Sequence, residues 1–304
     1  FDGVHCGHRL VIERLVSEAQ ARGDESLVVT FWPHPRAVLQ NGARELRLLT
    51  TLEEKKAILR GMGVDRVEVL GFSRAFASMT AEQYLRTLLQ ERFGVTTLLM
   101  GYDNRIGCDR KTATDLKPLV GNMDIIELPA LSTPTPTSSS PAPTSSSPVP
   151  SSSSPVPTGD PAVSSTRIRK ALETGDVRSA TQMLGYGYSL EGAVVAGNRL
   201  GRTIGFPTAN MQLYEPLKLV PAHGVYAVQA EVLGRTFRGM TNIGTRPTVG
   251  GTIPTIETHL LDFDEDIYGL PLRITFLRRI RDEVRFPSLE ALKAQLEKDR
   301  KACG

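Results

Sequence analysis

The sequence predicts an α/β domain built on a parallel sheet with helices on its faces, followed by a small closed antiparallel β-barrel and a C-terminal helix. Three observations carry this prediction. Strand-like and helical periodicities alternate as far as residue 128. A tract at about residues 132–160, restricted over 132–158 to Ser, Thr, Pro, Ala and Val, then interrupts the pattern, and it has almost nothing to bury. Beyond residue 185 the character becomes β, with Gly and Pro turns between β-branched runs. A chain of 304 residues also exceeds what one ordinary core needs, so residues 1–184 and 185–304 are read as two domains.

Taken in order, residues 7–21 carry Leu10, Val11, Leu15 and Val16 at helical spacing, and residues 27–32 (LVVTFW) read as a strand. Thr51 with Glu54 and Thr80 with Gln83 have capping-box spacing. They open two helices, one carrying Ile58 and Leu59, the other Tyr84, Leu85, Leu88 and Leu89. Strands are expected near 67–70, 97–100 and 124–128, and helices over 165–174 and 176–184. The barrel strands are expected at 188–195, 224–233, 255–263 and 271–280, where closure removes exposed edges. A last helix begins near Pro287 and Ser288 and is expected to bury Leu289, Leu292 and Leu296.

Hydrophobic content of 40% and charged content of 23% are those of a globular chain. No apolar run approaches the ~20 residues that span a bilayer, so no membrane partner is expected. A net charge of +3 is too small to imply nucleic acid, and suits anionic small substrates if arginines are focused in clefts. Cys6, Cys108 and Cys303 are odd in number and lack C-x-x-C spacing, which indicates neither a disulfide framework nor a zinc site. A reducing cytoplasm is the simplest setting. Phe1 is no initiator, and the expectation is a processed chain or, more readily, a fragment that begins inside a motif.

Residues 197–210 (GNRLGRTIGFPTAN) have the makings of a phosphate cradle. Gly197, Gly201 and Gly205 allow close backbone approach, Arg199 and Arg202 supply charge, and Thr208 and Asn210 supply oxygen ligands. A turn between strands uses the same residues, so both readings stand. His5 and His8 flank Gly7 in FDGVHCGH, where they could ligate a metal, pack in a loop, or hold phosphate at a helix start. Ser164, Ser165, Thr166 and Arg167 read as a helix cap that doubles as a second phosphate clamp. His34 and Pro35, in TFWPHP, stand just past a strand end, where open α/β sheets bind ligands. Glu257 lies in an alternating strand opposite in facing to Ile256, as an ordinary outward carboxylate also would.

The run GRTIGFPTAN, with NIGTRPTV at 242–249 and TIETHLLDF at 255–263, resembles the riboflavin kinases. FDGVHCGH and VSSTRIR (163–169) look like the two nucleotide-binding motifs of the fused FMN adenylyltransferase half. Nearly the whole chain is thus similar to the bifunctional riboflavin kinase/FAD synthetases of bacteria, interrupted only at about 132–160.

The resemblance implies a Rossmann-like nucleotidyltransferase domain and a riboflavin-kinase-type barrel, with ATP, riboflavin and FMN as substrates and FMN and FAD as products. It implies that His5 and His8 hold ATP phosphates, that Glu257 is the general base on the ribityl hydroxyl, and that Thr208 and Asn210 hold Mg2+ and ATP phosphate. It also places His34, Pro35, Asp103 and Arg105 near the flavin. In the family a strand leads into FDGVH, and without it the apolar edges of neighbouring strands should be exposed. The family's aromatic positions are here Asn104 and Ile106, so FMN is expected to form faster than FAD. A kinase with a degenerate front half and a non-catalytic flavin-binding protein are the alternatives. Weak self-association is left open, and the Ser/Pro tract is read as a spacer, with a site for a proline-binding partner as its alternative.

Overall fold

The computed structural model describes residues 1–39, 46–101, 104–128, 163–197, 200–248 and 251–303; the Ser/Thr/Pro tract lies outside them. The front half opens with helix α1 (Cys6–Arg22), which ends on Gly23 at φ 72°, a left-handed cap that glycine adopts without strain. Strand β1 (Leu27–Trp32) follows, then the short helix α2 (Pro35–Leu39) and α3 (Leu52–Gly61). Both expected capping boxes are formed, at Thr51/Glu54 and at Thr80/Gln83. Strand β2 (Arg66–Gly71) pairs with β1 in parallel, and β3 (Thr97–Gly101) pairs in parallel with β4 (Asp124–Leu128).

The two parallel pairs are not hydrogen-bonded to each other. Between β1 and β3 runs a cleft of about 940 Å³ lined by Val28, Val29 and Phe31 on one side, Leu98 and Leu99 on the other, and by Ile12 and Leu15 of α1. Periodicity marks a residue as strand but does not say which strand it joins, so a single continuous sheet was the simpler expectation. Each pair has its own core. Val4, Ile12, Val28, Leu59 and Val64 pack under β1 and β2, while Leu85, Leu89, Met100 and Leu116 pack under β3 and β4.

The second half is a closed barrel of six strands in the order β10-β5-β6-β9-β8-β7. They are β5 (Ser189–Val195), β6 (Ala209–Leu213), β7 (Gly224–Val232), β8 (Arg235–Thr248), β9 (Gly251–Leu260) and β10 (Pro271–Arg281), all paired antiparallel. Strands β6 and β8 escaped the sequence reading. The first is short and lies directly behind a glycine-rich loop, and the second is interrupted by Gly239, Gly244 and Pro247.

Helices α4 (Ser165–Glu173) and α5 (Val177–Leu184) belong to the barrel's core. Ile168, Leu172, Ala180 and Leu184 are fully buried there against Tyr188, Leu190 and Phe276. The C-terminal helix α6 (Leu289–Cys303) departs from expectation, because Leu289 is exposed, while Asp299 is buried on Arg281. That ion pair, with Arg281 Nε 3.1 Å from Asp299 Oδ1, anchors the far end of the helix instead.

The halves are joined by an isolated β-bridge and a buried charge pair. Leu48 and Lys218 form a parallel bridge, with Leu48 N–H donating to the Leu217 carbonyl at 2.7 Å and Leu219 N–H to that of Leu48 at 2.9 Å. Lys218 Nζ donates to the Leu49 carbonyl at 2.9 Å, pairs with Glu54, and sits 4.9 Å from the Tyr188 ring centroid. Burial lowers the Lys218 pKa, against the pull of Glu54.

Candidate active sites

The first site gathers around the start of α1. His5 is the N-cap and makes no side-chain capping bond, and its ring stacks on His8 at a centroid distance of 3.7 Å and an interplanar angle of 18°. Both Nδ1 atoms are buried without a hydrogen-bond partner. Burial, ahead of the nearby amino terminus, pushes the pKa of His5 down to about 4; burial, ahead of the charge of His5, pushes that of His8 down to about 2. Neutral imidazoles with unused nitrogens can receive a ligand without first breaking a protein bond.

Gly7 brings this turn against the segment that leads into α4. A Cβ there would stand 3.3 Å from the His5 ring and 3.7 Å from the Val163 carbonyl oxygen. Ser164 caps α4 by accepting from the Arg167 N–H at 3.3 Å, and Ser165 Oγ donates to the Asp2 carbonyl at 2.9 Å. Thr166 is exposed and Arg167 half-buried in the same first turn. Asp2 holds the whole assembly together. Its carboxylate accepts from Leu49 N–H at 3.1 Å and Thr50 N–H at 3.4 Å and pairs with Arg169, while Tyr186 donates its hydroxyl to the Gly3 carbonyl. Two helix starts, distant in sequence, are therefore held close together through Asp2 and the turn at Gly7, and each carries a positive dipole end.

His34 and Pro35 follow the end of β1, where His34 Nδ1 accepts from Arg36 N–H at 3.2 Å and burial lowers the His34 pKa. Arg105 is exposed and donates to the Asn104 carbonyl at 2.9 Å. It lines the cleft between β1 and β3 with Asn104 and Ile106, whereas His34 and Pro35 do not. Ile106 also packs on the core of Leu85 and Met100. Asp103 lies outside the described residues.

The second site is on the barrel. Short helix Leu200–Thr203 and the turn after it carry Gly201, Arg202 and Gly205; Arg202 is exposed, and Gly205 has φ 84°, the left-handed region that glycine permits. The loop is closed by the Phe206 N–H donating to the Gly201 carbonyl at 2.8 Å. Gly201 admits no side chain, since a Cβ would lie 2.1 Å from the Phe206 carbonyl oxygen. At Gly197 a Cβ would lie 2.1 Å from the Asn210 amide nitrogen, so the Asn210 side chain is laid over bare backbone. Arg199 is outside the described residues.

Thr208 is half-buried just before β6, and Asn210 on β6 stands opposite Glu257 of β9. The other neighbour of Glu257 is Asn242 of β8. Ile256 faces the barrel core and is 4% exposed, which leaves Glu257 half-buried on the other face. His259 Nδ1 donates to the Pro207 carbonyl at 2.7 Å and pins the glycine loop to β9. Neither His259 nor Asp2 was singled out from the sequence, although each lies within a motif that was.

All three cysteines are free, and no cluster of three metal-ligating side chains occurs among the described residues. No described helix is long and apolar enough to cross a membrane.

Comparison with known proteins matches two family models along the chain. Residues 184–304 match the family model described as riboflavin kinase, and residues 1–140 match that described as FAD synthetase. A bifunctional riboflavin kinase/FMN adenylyltransferase of Escherichia coli (strain K12) is 36% identical over 98% of this chain and 88% of its own length. One of Bacillus subtilis (strain 168) is 34% identical over 99% and 88%. A crystal structure described as a macrolide-efflux protein from Streptococcus pneumoniae has a TM-score of 0.85 and 32% identity, covering all of this chain and 91% of the other. With both family models matched in order and relatives at 34–36% identity over 98–99% of its length, the chain belongs to the bifunctional riboflavin kinase/FMN adenylyltransferases, enzymes of flavin cofactor biosynthesis.

Proposed function

We propose that residues 185–304 phosphorylate riboflavin to FMN and residues 1–184 adenylylate FMN to FAD, with α4 and α5 serving both halves. The observation that carries the kinase assignment is the register of β6 on β9, which stations Asn210 beside Glu257. Glu257 takes the proton of the terminal ribityl hydroxyl as its oxygen attacks the γ-phosphorus of ATP and ADP leaves. Gly197, Gly201 and Gly205 give the phosphates a backbone surface, and Arg202 supplies positive charge.

Thr208 and Asn210 are neutral hard-oxygen donors beside the glycine loop, where the absence of a side chain at Gly197 lets the Asn210 amide lie against the backbone, and they fit a Mg2+ shared with phosphate oxygens. Bound there, the ion would neutralise charge on the transferred phosphoryl group.

In the front half, attack of the FMN phosphate on the α-phosphorus of ATP expels pyrophosphate, and the enzyme's part is positioning and charge stabilisation. His5, His8 and Gly7 would hold ATP phosphates from the start of α1, and Ser164, Ser165, Thr166 and Arg167 from the start of α4. His34, Pro35, Asp103 and Arg105 are assigned to the flavin side. These small substrates need neither nucleic acid nor membrane, and we place the enzyme in the cytoplasm. Export, suggested by the description of the pneumococcal structure, has no support in the described helices. Incubation with riboflavin, ATP and Mg2+, followed by chromatography, tests the assignment. FMN and FAD are expected, and absence of both would refute it.

A further inference from the structure

Lys55 is a cation that the assigned chemistry leaves unused. It lies in the first turns of α3, is 7% exposed, and among the described residues its one hydrogen bond is to Thr30 Oγ1 at 3.3 Å, a long contact to a neutral oxygen. An ammonium has three donors, and burying it with one neutral acceptor is costly unless an anion completes it.

The carboxylates of Asp2 and Glu54 are occupied elsewhere. Asp2 attracts Lys55 electrostatically, but its oxygens are taken by Leu49 N–H, Thr50 N–H and Arg169. The neighbouring Glu54 is turned to Lys218 and to its capping box. Burial accordingly lowers the Lys55 pKa.

The lysine also has a direction. Val4, beside His5, packs with Val28 of β1 and with Leu59 of α3, one turn beyond Lys55, and the charge of Lys55 helps to lower the pKa of His8, in the first turn of α1, and of His34, just past the strand that carries Thr30. A buried ammonium, two imidazole Nδ1 atoms without a partner among the described residues and a helix N-terminus are thus carried on segments packed together, and none of them is negatively charged.

We infer that Lys55 is a phosphate ligand of the adenylyltransferase site, its Nζ completing the set formed by His5 and His8 on a phosphate of bound ATP or FMN. The inference rests on the reading of His5 and His8 given above. No bond to Lys55 is made or broken. It supplies positive charge to the phosphate oxygens while the FMN oxygen attacks the α-phosphorus and pyrophosphate leaves. The shared ligand chemistry is a phosphate monoester or polyphosphate, and kinetics distinguish the two sources.

The test uses the full chain carrying K55M, which keeps the stem and removes the charge, alongside K55R and H8N. Formation of FAD is measured against ATP and FMN separately, and phosphorylation of riboflavin is measured in the same preparations. A charged hydrogen bond to a buried anion corresponds to about a 10- to 100-fold effect. K55M should lower kcat/KM for FAD synthesis by that factor, with K55R recovering part of it and riboflavin phosphorylation unchanged. A rise in KM for ATP alone assigns the polyphosphate, and one for FMN alone the monoester.

FAD synthesis by K55M within twofold of the parent overturns the inference, as does an equal loss in K55M and K55R with both KM values unchanged. If K55M loses hydrogen-exchange protection in β1 and β2, K55Q is judged by the same criteria. An H8N variant with full FAD synthesis would instead remove the underlying reading of the histidines, a result separable from any behaviour of Lys55.

Discussion

Asn210 and Glu257 are direct cross-strand partners on β6 and β9, so their side chains leave the sheet on the same face, a few ångströms apart. The carboxylate thereby stands on the side of the barrel that carries the glycine loop and not across from it. Replacing Glu257 by Gln should keep riboflavin binding and reduce FMN formation by about 10²- to 10⁴-fold, the usual contribution of a positioned general base. Steady-state phosphorylation and riboflavin fluorescence titration measure the two quantities. Parent-like turnover would remove Glu257 from the mechanism.

Thr208 should behave differently, because it touches no transferred proton. Thr208→Ala is expected to raise the Mg2+ and ATP concentrations needed for half-maximal riboflavin phosphorylation, with FAD formation from FMN unaffected. Titration of each in turn decides the matter, and an unchanged Mg2+ dependence would count against the cradle.

His5 and His8 give the front half an acid-sensitive fold. Their folded pKa values, about 4 and about 2, lie below the ordinary value near 6.5. Between those limits the unfolded chain binds protons that the folded chain does not, so stability rises with pH; the contribution is whole above about 6.5 and is lost as pH falls toward 4. Melting of the front half at pH 7.5 and pH 5 should show this loss, and His8→Asn should reduce it. Identical melting at both pH values would contradict the buried, neutral histidines.

The junction between the halves rests on Lys218 and Glu54, whose side chains are 3% and 9% exposed. Removing one member of such a pair strands a buried charge and typically costs about 3–5 kcal/mol. Lys218→Met should therefore destabilise the chain by roughly that amount in denaturant titration, and Lys218→Met with Glu54→Gln should cost less than the sum. Additive losses would mean that the two are not coupled.

Much of this was legible from residue order. Strands 27–32 and 124–128 were found with their observed limits, and the Thr51/Glu54 box was read directly, because alternation and capping are local properties. Pairing is not local. Nothing in LVVTFW or TLLMG says that a cleft separates them, nor that α4 and α5 pack on the barrel more than on the sheet. Leu289 illustrates the same limit, since helical spacing marked it for burial while the Arg281–Asp299 pair set which face docks. In the sites, Glu257, Thr208 and Asn210 were visible through the family motif, and the structure adds their register. Asp2, Lys55 and His259 were missed because their significance lies in partners 47, 25 and 52 residues away.

One chain should carry two independent reactions, and product analysis of two variants separates them. Glu257→Gln and His8→Asn are each incubated with ATP and Mg2+ and either riboflavin or FMN, and the flavins are separated by chromatography. Glu257→Gln should make FAD from FMN but almost no FMN from riboflavin, and His8→Asn should make FMN from riboflavin but little FAD from either. Loss of both products in both variants, or of neither, would contradict the division of labour between barrel and sheet.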